Sequence, residues 1–433
     1  MAGEWETKRI GDLGRVVTGK TPSTAVAENF GGTYPFITIP DMDGRREISM
    51  SARTLSEQGA QSLRTCRLPA GAVMMSCIAT IGNCGITTRP SFTNQQINSL
   101  ICGDDADPKF VYYCFTQLGH ALEAAGGGGS VYTNVSKSRF EEIEVPLPPL
   151  AEQKAIAAVL GALDDKIELN RRMNATLEAM ARALFQSWFV DFDPVRAKLD
   201  GRPPAALDPA TAALFPASFQ ESPRGHIPKG WETGSILRQA DLLSGGTPKT
   251  DVPAYWNGDV PWASAKDVSQ CGEAFLVSTE RTITKQGVEE SSTKIIPANA
   301  TVVVARGATT GRLTMFGHAM AMNQTCYGLR SKVGAHFALY CNARHFIERL
   351  VQSGHGSIFD TITTSTFEAT DVLLAPKEVL LAFDKQVTPL FQQVHANLHQ
   401  SRTLATLRDT LLPKLLSGEL KTAAASANVT VSA

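Results

Sequence analysis

The sequence predicts an α/β (α+β) protein in which one α/β domain occurs twice, separated by two long antiparallel helices that form a coiled-coil spacer. Three observations support this fold. The chain repeats itself, each repeat contains short β-prone runs, and each repeat ends in a long segment with heptad spacing. The predicted parts are a first domain (1–149), a first helix (150–190), a Pro-rich linker (191–230), a second domain (231–376), a second helix (377–418) and a disordered tail (419–433).

The internal repeat consists of matching residues in the same order along both halves. The spacing between partners is 226 residues near the start, 229 in the middle and 227 towards the end, which indicates loop insertions in a common frame. A chance match would not give such an ordered series. The matching pairs include Trp5 and Trp231, Thr21-Pro22 and Thr247-Pro248, Gly82 and Gly311, Asn94-Gln95 and Asn323-Gln324, Phe140 and Phe367, and Leu184 and Leu411.

Within each domain, short runs of β-branched and apolar residues between turn residues predict strands. Examples are Ile37–Ile39, Ala72–Met75 and Thr301–Val304. The glycine-rich stretch Gly126–Ser130 resembles an engineered linker, but Gly354–Ser357 lies at the matching place in the second half, so we interpret it as native. Between the halves, the density of Pro predicts a linker with at most short helical turns.

The two long segments carry apolar residues at intervals of seven, with a second set three residues later. This spacing predicts a heptad seam, and both helices carry an Asn at the central position, Asn170 and Asn397. Two equivalent halves in one chain favour a pseudo-twofold relation, which makes the helices antiparallel and brings the two Asn side chains together. A buried Asn pair costs stability but fixes the register of a coiled coil. The first set comprises Ile156, Leu163, Leu177 and Leu184, with Phe383, Leu390, Leu404 and Leu411; the second includes Val159, Met173 and Met180.

Composition excludes several classes of protein. The formal net charge is -1 over 433 residues, so any contact with nucleic acid must come from a local cluster of Lys and Arg. No apolar run is long enough to cross a membrane, and no signal-peptide pattern is present at Met1–Trp5. The eight cysteines are scattered without a Cys-x-x-Cys pair, which fits a reducing cytoplasm.

One segment, Gly14–Thr21, matches the P-loop pattern letter for letter. A true P-loop follows a buried strand and opens a helix, whereas this segment follows polar residues and precedes Pro22. The matching segment of the other half, Ser244–Pro248, lacks Gly-Lys-Thr and keeps only Thr-Pro. We therefore reject nucleotide binding here.

Other patterns typical of enzymes are weak or missing. His395 and His399 stand four apart on the second helix, but no third ligand is evident, so solvated or partner-facing histidines are the better interpretation. The short strings that hold a target adenine or S-adenosylmethionine in a methyltransferase are absent, and Pro40-Asp41 is not completed into a nuclease metal site. The sequence thus predicts neither a catalytic residue nor a metal site in this chain.

Several strings stand at matching places in the two halves or at the ends of the long helices. They are Trp5 with Thr21-Pro22, Trp231 with Gly246-Thr247-Pro248, Ile81-Gly82-Asn83, Thr310-Gly311-Arg312, Pro148–Ile156 and Leu407–Glu419. These strings, together with the alternation of two α/β domains and two long helices, resemble the specificity subunits of type I restriction–modification systems. The resemblance covers nearly the whole chain. The two halves differ at one matching place, where the first has Asn134–Lys137, which contains a Lys, and the second has Thr361–Thr364, which does not. The two halves therefore need not contact their partner subunits in the same way.

The resemblance implies a DNA-recognition subunit without a catalytic site or cofactor of its own. It implies two target-recognition domains, each reading half of a bipartite site in double-stranded DNA. It further implies two methyltransferase (M) subunits that use S-adenosylmethionine, and restriction and motor (R) subunits that use ATP and Mg. An orphan adenine methylation system without nuclease is the alternative, because the nuclease is a separate polypeptide. A P-loop nucleotidase or a self-contained methyltransferase is the competing enzyme hypothesis, and the motif search argues against both.

Residues that contact DNA are expected on the loops between the shared strings, where Arg can fork onto guanine and Lys suits phosphate. For any one of them, a solvated surface charge is the alternative. Asn94, Gln95, Asn323 and Gln324 recur in both halves, which favours framework hydrogen bonds over reading of one half-site. The candidate residues are Lys20, Arg45, Arg46, Arg53, Arg64 and Arg67 in the first domain, and Lys249, Lys266, Lys285, Arg306 and Arg312 in the second.

Overall fold

The chain divides into two units whose boundary falls inside both long helices. Unit 1 comprises Met1–Leu169 and Ser401–Ala433, and unit 2 comprises Asn170–Gln400. The computed structural model describes residues 5–78, 80–126, 134–353, 361–369 and 371–422. Most of the glycine-rich loop interpreted above as native, its counterpart Gly354–Ser357, and the tail from residue 423 onward lie outside these residues.

The first α/β domain consists of a five-stranded, a three-stranded and a two-stranded sheet with three helices. Its elements are β1 (Glu6–Arg9), β2 (Gly14–Thr18), β3 (Phe30–Ile37), β4 (Glu47–Ile48), β5 (Arg53–Leu55), α1 (Glu57–Ser62), β6 (Val73–Ser76), β7 (Cys84–Thr87), β8 (Phe92–Thr93), β9 (Ile97–Cys102), α2 (Pro108–Gly126), α3 (Lys137–Glu142) and β10 (Glu144–Leu147). The strand orders are β2-β9-β6-β7-β4, β5-β3-β8 and β1-β10.

The first long helix and the Pro-rich segment follow this domain. α4 (Leu150–Phe189) is continuous over 40 residues and begins directly after Pro149. The Pro-rich segment contains two short helices, α5 (Asp193–Leu199) and α6 (Pro209–Ala213), and a hairpin of β11 (Phe219–Gln220) and β12 (Ile227–Pro228).

The second α/β domain repeats the topology of the first. Its elements are β13 (Glu232–Gly234), β14 (Ala240–Ser244), β15 (Trp256–Ala263), α7 (Ala265–Gln270), β16 (Phe275–Leu276), β17 (Arg281–Ile283), α8 (Lys285–Glu289), β18 (Ile295–Ile296), β19 (Thr301–Val304), β20 (Leu313–Phe316), β21 (Met320–Met322), β22 (Cys326–Ser331), α9 (His336–Ser353), α10 (Thr364–Ala369) and β23 (Val372–Leu374). The strand orders are β14-β22-β19-β20-β16, β17-β15-β21-β18 and β13-β23. The repeat in the sequence is therefore a repeat of the fold, with α7 and β18 as additions. The second long helix, α11 (Lys377–Leu416), follows.

The central strands of the five-stranded sheets are buried on both faces. In β19, Val303 belongs to one core cluster, whereas Val302 and Val304 belong to another. Because side chains alternate across a strand, a sheet covered on both sides needs an unbroken apolar run. This is why Thr301–Val304 was recognisable as a strand. The strand predicted at Ile37–Ile39 is only partly correct, because β3 ends at Ile37 and Thr38 opens a capping box.

The long helices pack against each other inside each unit. In unit 1, Ile156 and Leu160 of α4 share a core with Leu412 and Leu415 of α11. In unit 2, Phe185 and Trp188 of α4 contact Phe383 near the start of α11, with ring centroids 6.0 and 5.7 Å apart. The end of each helix thus pairs with the start of the other, and the helices are antiparallel as predicted.

The second row of the predicted heptad seam was misplaced by one residue. Val159 and Met180, predicted to follow the first row at a spacing of three, are 44% and 52% exposed. The buried row stands four residues after the first and includes Leu160, Asn174 and Trp188. Residues three or four positions apart both lie on one face of a helix. In this structure, the surrounding residues bury the row at a spacing of four.

Two further predictions need correction. The Pro-rich segment is not a linker with few buried contacts, because Val195, Phe215 and Ile227 enter the core cluster around Trp231. Proline prevents a long helix but does not stop the apolar residues between the prolines from packing. The predicted disordered tail begins too early. Thr422 is buried, and its hydroxyl donates to Glu152 Oε1 at 2.9 Å.

Candidate nucleic-acid interface

The recurring Thr-Pro and Asn-Gln strings form one framework contact in each domain. The Thr21 hydroxyl donates to Gln95 Oε1 at 2.8 Å, and the Thr247 hydroxyl donates to Gln324 Oε1. Neighbouring Asn residues close the adjacent turn, since Asn323 Oδ1 accepts from the Thr325 backbone N–H at 3.2 Å. These residues hold two loops together in both halves. The prediction that they belong to the framework is confirmed for these contacts.

The segment that matches a P-loop is a β-strand for most of its length. Gly14–Thr18 is β2, paired with β9. The next two amides are also occupied, because Gly19 N donates to Ile97 O at 3.1 Å and Lys20 N donates to Thr93 O at 3.0 Å. A P-loop binds phosphate with free backbone N–H groups of a loop. Here most of the segment is strand, and the Gly19 and Lys20 amides are bonded to backbone carbonyls.

Six of the eleven predicted DNA-binding residues are exposed and make no ion pair within the described part of the chain. Lys20 follows β2, and Lys249 occupies the corresponding loop after β14. Lys285 opens α8, and Arg306 and Arg312 lie between β19 and β20. These candidates of the second domain thus lie on three different segments of its chain. The six are Lys20, Arg64, Lys249, Lys285, Arg306 and Arg312.

Two other candidates are exposed but ion-paired. Arg45 contacts Asp43 with its Nη2 at 2.8 Å, and the hydrogen bond that it donates to Asp43 raises the pKa of the guanidinium. Lys266 contacts Glu280 at 2.7 Å, and this hydrogen bond likewise raises the pKa of the ammonium group. Surface pairs of this kind are worth little, so DNA could displace the carboxylates at small cost.

Arg46 is a correction to the predicted set. Its side chain is only 6% exposed, and its Nη2 lies 2.6 Å from Asp165 Oδ1 in α4. Its Nη1 donates to Gly161 O at 3.3 Å and to the Tyr113 hydroxyl at 3.4 Å. A guanidinium with these partners links the domain to the helix of unit 1 and is not presented to DNA.

The last two candidates lie over aromatic rings of β3. The Arg53 guanidinium carbon is 4.3 Å from the centroid of the Phe30 ring, and that of Arg67 is 5.5 Å from the centroid of Tyr34. The second domain contains a counterpart of Arg53 that sequence reasoning missed. Arg281 lies 3.5 Å from the centroid of Trp256. The signal was available in the sequence, since Arg53 and Arg281 each stand three residues before the Ser56 or Thr284 that caps the next short helix.

The predicted pair Asn170 and Asn397 is buried in unit 2 as part of a larger amide cluster. Asn170 Nδ2 donates to Asn397 O at 3.4 Å and to Gln400 Oε1 at 2.9 Å. The Asn397 amide donates to Asn174 Oδ1 at 2.8 Å and accepts from Gln393 Nε2 at 2.7 Å. The two predicted residues do contact each other, but the bond between side-chain amides joins Asn397 to Asn174. Asn174 was missed because it stands in the misplaced second row.

The features that could indicate other chemistry have ordinary partners. His395 Nε2 lies 2.9 Å from Gly317 O and 3.3 Å from His399 Nε2. Within the described residues, no group of three or more His, Cys, Asp and Glu side chains could hold a metal ion. No described helix combines the length and apolar character needed to span a membrane. All eight cysteines lie in the described part and are free thiols.

Comparisons with known proteins agree with this architecture. The MjaIX type I restriction enzyme specificity subunit of Methanocaldococcus jannaschii is 27% identical, over 96% of this chain and 94% of that protein. The HindI type I restriction enzyme specificity subunit of Haemophilus influenzae is also 27% identical, over 67% of this chain and 72% of that protein. The crystal structure of the type I restriction–modification S subunit of M. genitalium shares the fold, with 15% identity, a TM-score of 0.54, and coverage of 95% of this chain and 96% of that one.

The family itself is identified by a sequence profile that matches each half of the chain. The profile describes the type I restriction modification DNA specificity domain, and it matches residues 2–179 and 228–405. Each match contains one α/β domain and most of the long helix that follows it. The chain therefore belongs to the family of type I restriction–modification DNA specificity proteins, and it carries two copies of the family's domain.

Proposed function

We propose that this chain is the DNA-recognition subunit of a type I restriction–modification complex and that its two α/β domains read the two halves of a bipartite target. The observation that carries this proposal is one fold present twice with different exposed cations. By the spacing of the repeat, Lys20 corresponds to Gly246, Lys249 to Ser23 and Arg312 to Asn83. A shared framework with different charged loops suits two domains that read different sequences.

Most of the candidates that the structure leaves exposed have the chemistry for such reading. Arg presents a fork of donors that matches guanine in the major groove, whereas Lys neutralises phosphate. We assign DNA contact to the six unpaired cations and to Arg67, and we remove Arg46 from the predicted DNA-binding residues. Arg45 and Lys266 would contact DNA only after release from Asp43 and Glu280.

The assembly around the chain follows from the proposed role. We propose two methyltransferase (M) subunits as partners and, through the complex, the restriction and motor (R) subunits. S-adenosylmethionine, ATP and Mg would be bound by those partners and not by this chain. Since the substrate is chromosomal or invading DNA, the complex would act in the cytoplasm.

The proposal is tested by expressing the chain with its methyltransferase partner in a host that lacks adenine methylation. Sequencing that detects modified adenines should find one bipartite motif with a fixed number of unread bases. Charge removal at Arg64 and Arg67 should relax one half of the motif, and charge removal at Arg306 and Arg312 should relax the other half. Each lost bidentate base contact should cost about 1–3 kcal/mol of discrimination.

The matched control is removal of Arg238 and Arg330, which are exposed in the second domain but paired with Glu232 and Asp241. This control should leave both half-sites unchanged. A continuous motif, or no motif at all from a folded and assembled complex, would contradict the proposed function.

A further inference from the structure

Each α/β domain holds one exposed arginine over two aromatic rings at the same place in the fold. In the first domain, the Arg53 guanidinium carbon lies 4.3 Å from the centroid of Phe30 and 5.8 Å from that of Phe36. In the second, Arg281 lies 3.5 Å from the centroid of Trp256 and 5.8 Å from that of Trp262. The arginines open the equivalent strands β5 and β17, and the rings lie on their neighbours β3 and β15.

The backbone that carries each arginine is also fixed in the same way. Asp41 Oδ1 accepts from the Ala52 N–H at 2.7 Å, and Asp267 Oδ1 accepts from the Glu280 N–H at 2.8 Å. One residue earlier in the chain, Ser51 and Thr279 donate their hydroxyls to the carbonyls of Arg53 and Arg281, at 2.6 and 2.7 Å. The two domains thus build the same support beneath an arginine, although their rings differ in identity.

The charge on each arginine is oriented but not neutralised. Both residues are exposed, and within the described residues neither makes an ion pair or a side-chain hydrogen bond. An aromatic face attracts a guanidinium and restricts its motion, which lowers the entropy lost when it binds a ligand. A fork of free donors held in place at the surface is suited to a phosphate group.

We propose that Arg53 and Arg281 each bind a phosphate of the DNA backbone and form a sequence-independent anchor shared by the two domains. Their recurrence is the reason for assigning backbone and not base contact, because a contact present in both halves cannot distinguish two different half-sites. Phosphate contacts position a protein on the duplex, while base contacts specify the sequence. The inference rests on the proposed function and names two residues that act in it.

The experiment compares Arg53→Met, Arg281→Met and the double variant in the complex with the methyltransferase partner. Methionine retains an apolar stem over the rings and removes the charge. Binding to a labelled 40-base-pair duplex of mixed sequence is measured over a range of salt concentrations. Each single variant should lower the slope of log affinity against log salt by about 0.9 and weaken binding about fivefold near 0.15 M salt, and the double variant should lower the slope by about 1.8.

Two further variants make the outcome decisive. Arg53→Lys should keep the salt slope, since the positive charge remains. Arg196→Ala removes an arginine that lies 5.4 Å from the Phe219 ring in the Pro-rich segment, and it should change neither affinity nor slope. Thermal melting verifies that each variant is folded.

The outcomes separate this inference from the proposed function. An unchanged salt slope in the folded double variant would overturn the inference, as would a change in the methylated motif confined to one half-site. If the wild-type complex bound all sequences equally, the proposed function would fail even when the salt slopes followed the expectation for the two arginines.

Discussion

Arg46 and Asp165 form an ion pair of 2.6 Å that joins the edge of the first domain to α4 inside unit 1. The arginine side chain is nearly inaccessible, whereas the aspartate side chain remains 67% exposed. The pair is therefore not a fully buried salt bridge. The two terminal nitrogens of the buried guanidinium are hydrogen-bonded, whereas its Nε has no hydrogen-bond partner within the described residues.

We expect Arg46→Ala to destabilise unit 1 and to leave the salt dependence of DNA binding unchanged. Removing the guanidinium leaves the Gly161 carbonyl and the Tyr113 hydroxyl short of a partner, which should cost about 1–3 kcal/mol in the free energy of unfolding. Chemical denaturation provides the measurement. Arg45→Ala is the matched control, because that adjacent residue is exposed and should cost less than about 0.5 kcal/mol. A lower salt slope for folded Arg46→Ala would speak for a phosphate contact instead.

Arg45 and Arg46 also illustrate what the sequence could and could not predict. The repeat and the strand patterns predicted the fold, since burial on both faces of a sheet leaves unbroken apolar runs such as Thr301–Val304. Charge alone does not reveal whether a side chain faces solvent or a neighbouring helix. Two adjacent arginines in a loop look equivalent until the tertiary structure places one of them beside Asp165.

The helical seam shows the same limit at the level of a single residue. A spacing of three and a spacing of four both follow one face of a helix, so the sequence allowed Val159 or Leu160 as the buried residue. Contacts with the rest of the unit bury Leu160 and leave Val159 exposed. The same ambiguity concealed Asn174 as the partner of Asn397. Packing, and not local periodicity, decides such cases.

Asp384 of α11 caps the N-terminus of α9 and should make unit 2 more stable at mildly acidic pH. Its carboxylate accepts from the Ala338 N–H at 2.7 Å and from the Phe337 N–H at 3.3 Å. Burial raises its pKa from the ordinary 3.8 to about 6. Because the folded state then holds the proton more tightly, the contribution of Asp384 to stability falls as the pH rises from about 4 to 6, by up to about 3 kcal/mol.

The measurement is the difference in unfolding free energy between the wild type and Asp384→Asn across this range. Asp208 supplies a control of opposite sign, since it caps α6 at the surface and its pKa is lowered by the hydrogen bond from Thr211. The stability from Asp208 should be present above its ordinary pKa and decline as the pH falls. A wild-type advantage over Asp384→Asn that does not vary between pH 4 and 6 would refute the prediction for Asp384.

Asn174 and Asn397 should be energetically coupled across the helix pair. Asn397→Leu leaves Asn174 Oδ1 and Gln393 Nε2 without their partner, so the single substitution should cost about 1–3 kcal/mol. Adding Asn174→Leu removes one of those unpaired groups, and the double variant should be more stable than the sum of the single changes indicates. A double-mutant cycle by denaturation tests this, and additivity within about 0.5 kcal/mol would count against coupling.

The long helices should determine how many unread bases separate the two half-sites. Each is uninterrupted over 40 residues and runs through both units. Deleting one heptad from α4 and the equivalent heptad from α11 removes about 10 Å of helix, which corresponds to about 3 base pairs. The methylated motif should keep both halves and lose bases only from its spacer. Deleting seven residues near Pro204 is the control and should not alter the spacer, while an altered half-site with a constant spacer would disprove this role.

The chain should tolerate circular permutation, because residues near its two ends meet in unit 1. Gly418 lies against the Trp5 indole, and Leu416 shares its core cluster. Joining residue 422 to Trp5 through about six flexible residues costs little, since loop-closure entropy grows slowly with length.

The new ends belong between Gly201 and Pro203, an exposed stretch between the buried residues Val195 and Phe215. This permutant should fold, recruit the methyltransferase partner and methylate the original motif. A second permutant, opened between Phe215 and Phe219, breaks the chain among residues that pack around Trp231. It should therefore melt at a lower temperature than the first permutant. If the first permutant folded but did not methylate its motif, the original connection between the halves would itself be required for assembly.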